Sequence, residues 1–343
     1  MPESPVTRVI VVGGSAGGVQ AMSRLVSELP RDIKAAILMV LHIPHNAVSV
    51  MPAILRRAGV LPAVHAATRE PLREGVVYVA PPDRHLLLRE GNVITSFGPR
   101  ENGHRPAIDP LFRSAAEAFG AGVIGVLLTG NLDDGTAGMA AIKDHGGVTI
   151  VQDPEDALYS GMPLSAIQNV SVDHVLPLDG IVPTIMRALG DQVRSSNGDR
   201  TDEELDIEIR KVQMDPTLDY EAQIGQPSGF TCPECAGGLW EVKEGPLVRY
   251  RCRVGHAYSA DSLVNAYGSS VEAALWAALR SLEENASFSR RLARRADSMN
   301  QRIALERFEA QAARASEHAN TLRAILATGP VAAESEHEVV APD

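Results

Sequence analysis

"VIVVGGSAGGVQAM" (residues 9–22) is the stretch on which the fold turns. Val9 to Val12 form an apolar, β-branched run with no polar alternation. Such a run suits a strand of a parallel sheet covered on both faces. It ends in Gly13-Gly14-Ser15-Ala16-Gly17-Gly18, and an amphipathic helical pattern follows. Strand, glycine turn and helix support two chemistries, a cradle for a nucleotide phosphate or a presented serine. A dinucleotide loop needs Gly-x-Gly-x-x-Gly and an acidic residue ending the next strand. Here the spacing is broken and the next strand, "ILMVLH", ends in His42. No Gly-Lys-Ser/Thr follows, which excludes a Walker loop. Gly13-x-Ser15-x-Gly17 has instead the spacing of a nucleophile elbow, with small residues on both sides of the serine. Backbone amides at the start of the following helix point to the same place and can hold an oxyanion. The motif is short, and a tight strand–helix turn without chemistry is the plain alternative.

Further runs of the same kind are "AAILMVLH", "GVVYVAP", "HLLLRE", "NVITSF", "VIGVLLTG" and "GVTIVQD". Helical patterns such as "GVQAMSRLVSEL" and "DPLFRSAAEAFG" lie between several of them. The expected fold class of residues 1–190 is α/β: a doubly wound, mostly parallel sheet with helices on both faces. Residues 75–97, with closely spaced strands and a turn at Glu90-Gly91-Asn92, read as an antiparallel excursion.

A nucleophilic serine needs a base and a group to orient that base. The carboxyl ends of neighbouring parallel strands line one crevice, so Ser15 and His42 can meet there. A third strand end, "VIGVLLTGNLDDGTAGM" (123–139), carries Asp133 and Asp134. One of them can orient His42; the other can cap the helix that starts near Gly135. A histidine buried at a strand end and an aspartate used only as a cap are the structural alternatives.

The chain has 343 residues, a net charge of −11 and 45% hydrophobic residues, so several domains and a sizeable core are expected. The negative charge and 4% aromatic content argue against a nucleic-acid partner. No apolar run reaches the length of a bilayer span, and "MPESPVTR" lacks the design of a signal peptide, so no membrane insertion and a cytoplasmic location are expected.

Residues 191–229 are polar and acidic and read as a linker, with "LDIEIRKVQ" as a candidate edge strand. Residues 230–260 hold all three cysteines of the chain. Cys232-x2-Cys235 is followed by a gap of 16 residues and then Cys252-x3-His256, the ligand set of a Cys3His zinc site in a zinc-ribbon-like module. With four protein ligands the zinc is structural; a redox dithiol at Cys232 and Cys235 is the competing reading. Arg249, Arg251 and Arg253 alternate and share one strand face, either as a basic patch or paired with nearby acids. Residues 269–327 read as a helical hairpin. Its first half carries Leu275, Leu279 and Leu282; its second carries Phe308, Ala312, Ala315, Ala319, Leu322 and Leu326. Ser269-x-x-Glu272 fits a capping box at its start, and a break is expected near 297–300. Self-association through these helices, or their packing on the first domain, is expected. Residues 328–343 read as a disordered tail.

Residues 7 to about 190 resemble the catalytic domain of the chemotaxis protein-glutamate methylesterase family, CheB. "GGSAGG", "LHIPH", "APPDRHLLL", "HRPAIDPLFRSAA", "LLTGNLDDGTAGM" and "VQDPEDALYSGMPLSAI" follow in family order. The resemblance implies Ser15 as nucleophile, His42 as general base and Asp134, which directly precedes Gly135, as orienter. It implies hydrolysis of glutamyl methyl esters on methylated chemoreceptors, glutamine deamidation as a related activity, and no cofactor for catalysis. Two positions depart from the family pattern: Ala16 stands where threonine is common, and Asn131-Leu132 replaces Met-Gly. Their backbone amides still suit an oxyanion. The first catalytic strand begins near Thr7, so a stand-alone form without the family's receiver domain is expected, either constitutively active or controlled by its C-terminal part or by a partner. A catalytically silent, esterase-like adaptor in a signalling assembly is the other functional reading.

Overall fold

The computed structural model describes residues 6–43, 48–191, 203–214, 225–244 and 247–328. The chain divides into two compact units, residues 1–262 and 263–343.

The first unit is organised on a seven-stranded sheet whose paired strands all run parallel. Its strands are β1 (Val9–Gly14), β2 (Ala36–Leu41), β3 (Ala63–His65), β5 (Val77–Val79), β8 (Val123–Leu127), β9 (Val148–Gln152) and β10 (His174–Leu176), in the order β10-β9-β8-β1-β2-β5-β3. Alternation along β1 shows both faces in use. Val9 and Val11 pack with Leu111, Phe112, Met139 and Met162. These come from α3 (Ile108–Phe119), α4 (Thr136–Asp144) and α5 (Gly161–Asn169). Ile10 and Val12 pack with Met22, Leu25, Leu55, Ile181 and Ile185. These come from α1 (Gly18–Glu28), α2 (Met51–Ala58) and α6 (Leu178–Gly190). All four β1 side chains are fully buried, each contributing about 1.5–3 kcal/mol of transfer free energy. This is the doubly wound α/β architecture the apolar runs imply.

The antiparallel excursion is smaller than expected. β5 joins the main sheet, between β2 and β3. Val77, Tyr78 and Val79 are buried on both sides, the environment of an inner parallel strand. Only β4 (Glu70–Pro71), β6 (His85–Arg89) and β7 (Asn92–Ser96) form a separate antiparallel sheet, in the order β4-β7-β6. Its hairpin turns through Glu90 and Gly91, at φ 50° and 72°, the signature of a two-residue type I′ loop.

The candidate edge strand "LDIEIRKVQ" is instead helical, within α7 (Glu203–Val212). Ile209 and Val212 are buried at a spacing of three, and Asp206 pairs with Arg210 one turn on. Most of the rest of the expected linker lies outside the described residues. Gln226–Thr231 is not linker but β11, the first strand of the cysteine module. With β12 (Gly238–Glu244), β13 (Leu247–Cys252) and β14 (Ala257–Ser259) it makes a four-stranded antiparallel sheet in sequence order.

α8 (Ala260–Ser298) and α9 (Arg302–Ala327) form the helical hairpin. α8 runs straight through the expected capping box. Ser269 Oγ donates to the Asn265 carbonyl one turn back and caps nothing. Ala286, Ala293, Ala296, Ala312, Ala315 and Ala319 are buried, with Leu279. Across the hairpin Arg323 pairs with Glu283, and Arg290 donates to Ser316 Oγ. Asn300, at φ 56°, makes the break between the helices. The expected tail beyond Thr328 lies outside the described residues. Among the described residues no helix is long and apolar enough to cross a membrane.

Candidate active site

β8, β1 and β2 are neighbours at the centre of the sheet, so their carboxyl ends open into one crevice. Ser15 follows β1. Its amide donates to the Thr129 carbonyl at 3.0 Å, which ties the β1 turn to the β8 turn. Gly17 sits at φ 77° as the N-cap of α1, a left-handed conformation that favours glycine. Gly13 allows a different approach: a Cβ there would meet Ile108 Cγ2 at 2.4 Å, so the start of α3 packs directly on the strand end.

His42 lies between the serine and an aspartate. Its Nδ1 is 3.2 Å from Ser15 Oγ, and its Nε2 is 2.7 Å from Asp134 Oδ2. The side chains of His42 and Asp134 are 5% and 2% exposed, while Ser15 is half-buried and reachable. With the carboxylate accepting from Nε2–H, Nδ1 is left with a lone pair towards the serine hydroxyl. That is the tautomer a general base requires.

Asp134 accepts three further hydrogen bonds, from the Ile108 amide at 2.7 Å, the Asp109 amide at 3.3 Å and Asn102 Nδ2 at 3.0 Å. Burial works against its charge. The hydrogen bond and charge of His42, and then the Ile108 amide, prevail and hold the carboxyl well below its usual range. Both amides come from the first turn of α3, where the helix dipole also favours an anion. His104 stacks on His42, with ring centroids 3.7 Å apart and the planes 13° from parallel. Burial, then the neighbouring His42, pushes His104 down to about 4.

The two aspartates of the β8 turn do not divide their work as expected. The N-terminus of α4 is held by Asp109 of α3, whose Oδ1 accepts from the Gly135 amide at 3.1 Å and the Gly138 amide at 2.7 Å. Asp133 makes no side-chain cap. It accepts from the hydroxyls of Ser259 at 2.7 Å and Ser262 at 2.9 Å. Asn102, His104 and Asp109 were not singled out by sequence reasoning. "NGHRPAID" carries no motif with a stated mechanism, and only the fold carries it to the β8 turn.

Next to the site, Glu101 is fully buried and bound by Arg113 at 2.6 Å and Arg249 at 2.8 Å, with Arg251 at 3.6 Å. Burial opposes its charge, and the three guanidiniums outweigh it, holding the carboxyl well below its usual range. Arg249 and Arg251 of the alternating triplet therefore face inward and are paired. Glu101→Ala leaves these cations buried without their shared partner, so the unfolding free energy of the first unit drops by about 3–5 kcal/mol. Urea denaturation of the full chain measures it.

His85 is fully buried. Its Nε2 donates to the Pro99 carbonyl at 2.9 Å and its Nδ1 accepts from the Ala107 amide at 3.3 Å, an arrangement that only the neutral ring satisfies. Burial depresses its pKa to about 4. The unfolded chain takes up this proton near pH 6.5 and the folded chain does not, so stability is lost as pH falls from 6.5 towards 4. At pH 5 this loss is about 2 kcal/mol. A His85→Gln variant lacks it, and the stability difference from wild type narrows by that amount between pH 7.5 and pH 5 in paired denaturation curves.

The amides of Ala16 and Asn131 donate no hydrogen bond among the described residues, whereas the Gly130 amide is taken by the Tyr159 carbonyl at 3.0 Å. Gly130 packs against Ser15: a Cβ on it would stand 2.8 Å from Ser15 Cβ. One of these unengaged amides follows Ser15 in the chain and the other follows Gly130, which packs on Ser15. A nucleophile, a base, an oriented carboxylate and these donors suit acyl transfer at an ester or amide.

The second cluster is the cysteine module. Cys232, Cys235, Cys252 and His256 bring their ligand atoms within 4.8 Å of one another. Cys235 Sγ and Cys252 Sγ are 3.7 Å apart; His256 Nδ1 is 3.7 Å from Cys232 Sγ and 3.5 Å from Cys252 Sγ. A tetrahedron built on Zn–S of about 2.3 Å and Zn–N of about 2.0 Å has edges of roughly 3.8 Å between sulfurs and 3.5 Å between sulfur and nitrogen. The donor set and its spacing fit a metal ion of that kind.

A sequence model of the CheB methylesterase family matches residues 10–185. A putative protein-glutamate methylesterase/protein-glutamine glutaminase of Leptospira interrogans is 40% identical over 179 residues, covering 52% of this chain and 93% of that protein. A protein-glutamate methylesterase/protein-glutamine glutaminase of Pyrococcus horikoshii is 35% identical over 192 residues, and the match covers 55% of this chain but only 52% of that protein. The crystal structure of the Thermotoga maritima CheB methylesterase catalytic domain superposes with a TM-score of 0.51 at 32% identity, over 52% of this chain and 97% of that one. Sheet order, the crevice at Ser15 and these likenesses agree: the chain belongs to the CheB methylesterase family.

Proposed function

We propose that the chain is a serine hydrolase that demethylates glutamyl methyl esters on chemoreceptors and deamidates receptor glutamines by the same route. The observation that carries this reading is the unbroken hydrogen-bonded line Ser15–His42–Asp134 beside two unengaged amides. Ser15 Oγ attacks the ester carbonyl as its proton passes to His42 Nδ1. The tetrahedral oxyanion takes hydrogen bonds from the amides of Ala16 and Asn131. Asp134 stabilises the imidazolium without taking its proton. Collapse expels the methoxy group, which leaves as methanol with the proton from His42. Water then gives a proton to His42 and its oxygen to the acyl carbon, which frees glutamate and restores Ser15. With glutamine the leaving group is ammonia. Substrate and intermediates bring all the remaining atoms, so no cofactor enters the reaction.

The substrate surface is a methylated receptor segment and the compartment the cytoplasm. The test is methanol release from methyl-labelled receptor membranes, wild type against Ser15→Ala. Release in wild type that vanishes in the variant supports the reading. No release from a folded wild type, together with a Ser15 that ignores a fluorophosphonate probe, would leave the silent-adaptor reading standing.

Cys232, Cys235, Cys252 and His256 bind one zinc ion as a structural metal, in this reading. Four protein ligands leave no position for substrate, and a four-stranded module of this size buries too little apolar surface to hold its strands alone. Elemental analysis of the purified chain is expected to give one zinc per chain. Cys235→Ser abolishes that zinc, and near-ultraviolet circular dichroism then loses the signal of Trp240 and Tyr250. The helical module serves self-association in the same reading.

A further inference from the structure

The cysteine module and the site meet in one short segment. Ala257 N donates to the Arg100 carbonyl at 3.2 Å, and Asn102 N donates to the Ala257 carbonyl at 2.8 Å. Glu101 thereby forms a parallel bridge with Ala257. Ala257 directly follows His256, so a ligand of the Cys3His cluster and the bridging residue are covalent neighbours. The grip continues through side chains. Arg100 pairs with Glu234, between the first two cysteines, at 3.2 Å. Glu101 is held by Arg249 and Arg251 of β13, the strand that ends in Cys252. Asn102 Oδ1 accepts from the Ser259 amide at 3.0 Å. Its Nδ2 donates to Asp134 Oδ1 at 3.0 Å and to Asp109 Oδ2 at 3.2 Å. Two residues on, His104 lies flat against His42.

We propose that Asn102 is a positioning residue for Asp134, and that the metal-held ribbon keeps it there, so that occupancy of the Cys3His site sets the reactivity of Ser15. The proposal rests on the reading of Ser15, His42 and Asp134 given above. Asn102 is 5% exposed and sits at φ 51° before Gly103 at φ 76°, the Asn-Gly pair of a type I′ turn closed between Glu101 and His104. The turn sets its backbone locally, and the Ala257 carbonyl and the Ser259 amide of β14 hold it against Asp134. Loss of the metal frees the 252–256 turn, and β14 then loses its register. Asp134 in turn loses a donor, and His42 loses the ring stacked on it. The family match ends at residue 185, before the first cysteine, so this coupling belongs to the chain's own C-terminal part.

The test uses the full-length chain labelled with 15N-histidine. Asn102→Asp keeps the side-chain shape and the acceptor for Ser259, and replaces the donor by an oxygen that faces Asp134. Asn102→Gly keeps the backbone conformation and removes the side chain. The first readout is the downfield proton of His42 Nε2–H bound to Asp134; the second is the pH profile of fluorophosphonate labelling at Ser15. Asn102→Asp is expected to slow maximal labelling by about 10–100-fold, with half-saturating probe changed by less than about twofold. It also moves the acid limb of the profile to higher pH. With Asn102 Nδ2 gone, Asp134 Oδ1 loses one of its donors, and the carboxylate bonds more strongly to His42 Nε2–H. Asn102→Gly gives the same signs with a smaller shift. Chelation of zinc is expected to shift or broaden the downfield signal and to slow labelling, and zinc returned to the sample restores both. An unchanged downfield signal and acid limb in Asn102→Asp overturn the positioning role. A zinc-free chain with wild-type signal and labelling overturns the part assigned to the ribbon. Should the zinc-free chain lose its fold at large, Ser259→Pro removes the amide that Asn102 accepts without touching a ligand, and the same two outcomes decide. If Ser15 of the wild type does not react at all, the hydrolase reading fails by itself, and the downfield signal still decides the positioning role.

Discussion

Ser15→Ala lowers methyl-ester hydrolysis by about 10⁶-fold and leaves the fold intact. The loss is large because the hydroxyl starts the covalent route, and among the described residues His42 Nδ1 bonds no other hydroxyl. His42 Nδ1 is left facing the crevice and can at best draw a proton from water. The structural cost is small. Ser15 is half-buried, and its hydroxyl makes one hydrogen bond, to His42, while its amide and carbonyl keep theirs to Thr129 and Gly18. The expected change in unfolding free energy is within about 0.5 kcal/mol. His42→Ala falls to a similar rate, and the double variant falls no further, because the two residues act as one unit. Methanol release with each variant measures all three.

Asp134→Asn lowers the rate by about 10⁴-fold, and here the reason is a count of donors. His42 Nε2, the amides of Ile108 and Asp109, and Asn102 Nδ2 all converge on this carboxylate. An asparagine has one oxygen and one NH2. If its NH2 faces His42, the imidazole must accept there and carries its proton on Nδ1, where it is no base for Ser15. If its NH2 faces Asn102 and Asp109 N instead, donor meets donor in a dry site, at a cost of about 1–3 kcal/mol in stability. In the first orientation the NH2 also meets the Ile108 amide, which donates to the same position, so rate and unfolding midpoint drop together, unlike in Ser15→Ala. The stability difference closes in acid. A carboxyl held below its usual range contributes stability above the unfolded value near 4 and loses it as pH falls further. Denaturation curves at pH 7 and pH 3 measure this.

Much of the site was legible because each part is a local pattern at a strand end. Gly13-x-Ser15-x-Gly17 reports the turn, His42 closes the apolar run of β2, and the β8 turn announces a carboxylate. What sequence left open was which aspartate faces the histidine. The structure puts Asp134 on His42, and Asp133 towards Ser259 and Ser262, more than 120 residues away along the chain. No local rule separates two adjacent aspartates when their partners arrive from α3 and from the cysteine module. The helix cap was misplaced for the same reason. Gly135 and Gly138 are capped from Asp109, 26 and 29 residues upstream. The capping box at Ser269 failed differently: α8 already had a start at Ala260, supplied by the end of β14, and a box inside an established helix has no open amides to satisfy.

By itself the sequence determined the parallel sheet, the serine at the end of its central strand, the close grouping of Cys232, Cys235, Cys252 and His256, and the helical hairpin. Each is written as a periodicity or a fixed spacing, and such patterns need only neighbours along the chain. Tertiary structure alone decided that β5 belongs to the main sheet and that residues 203–212 are helix. It alone brought Glu101 and Asn102 between the cysteine module and Asp134. Buried ions and amides are placed by the requirement that each find its partners out of water, and those partners lie far apart in the chain.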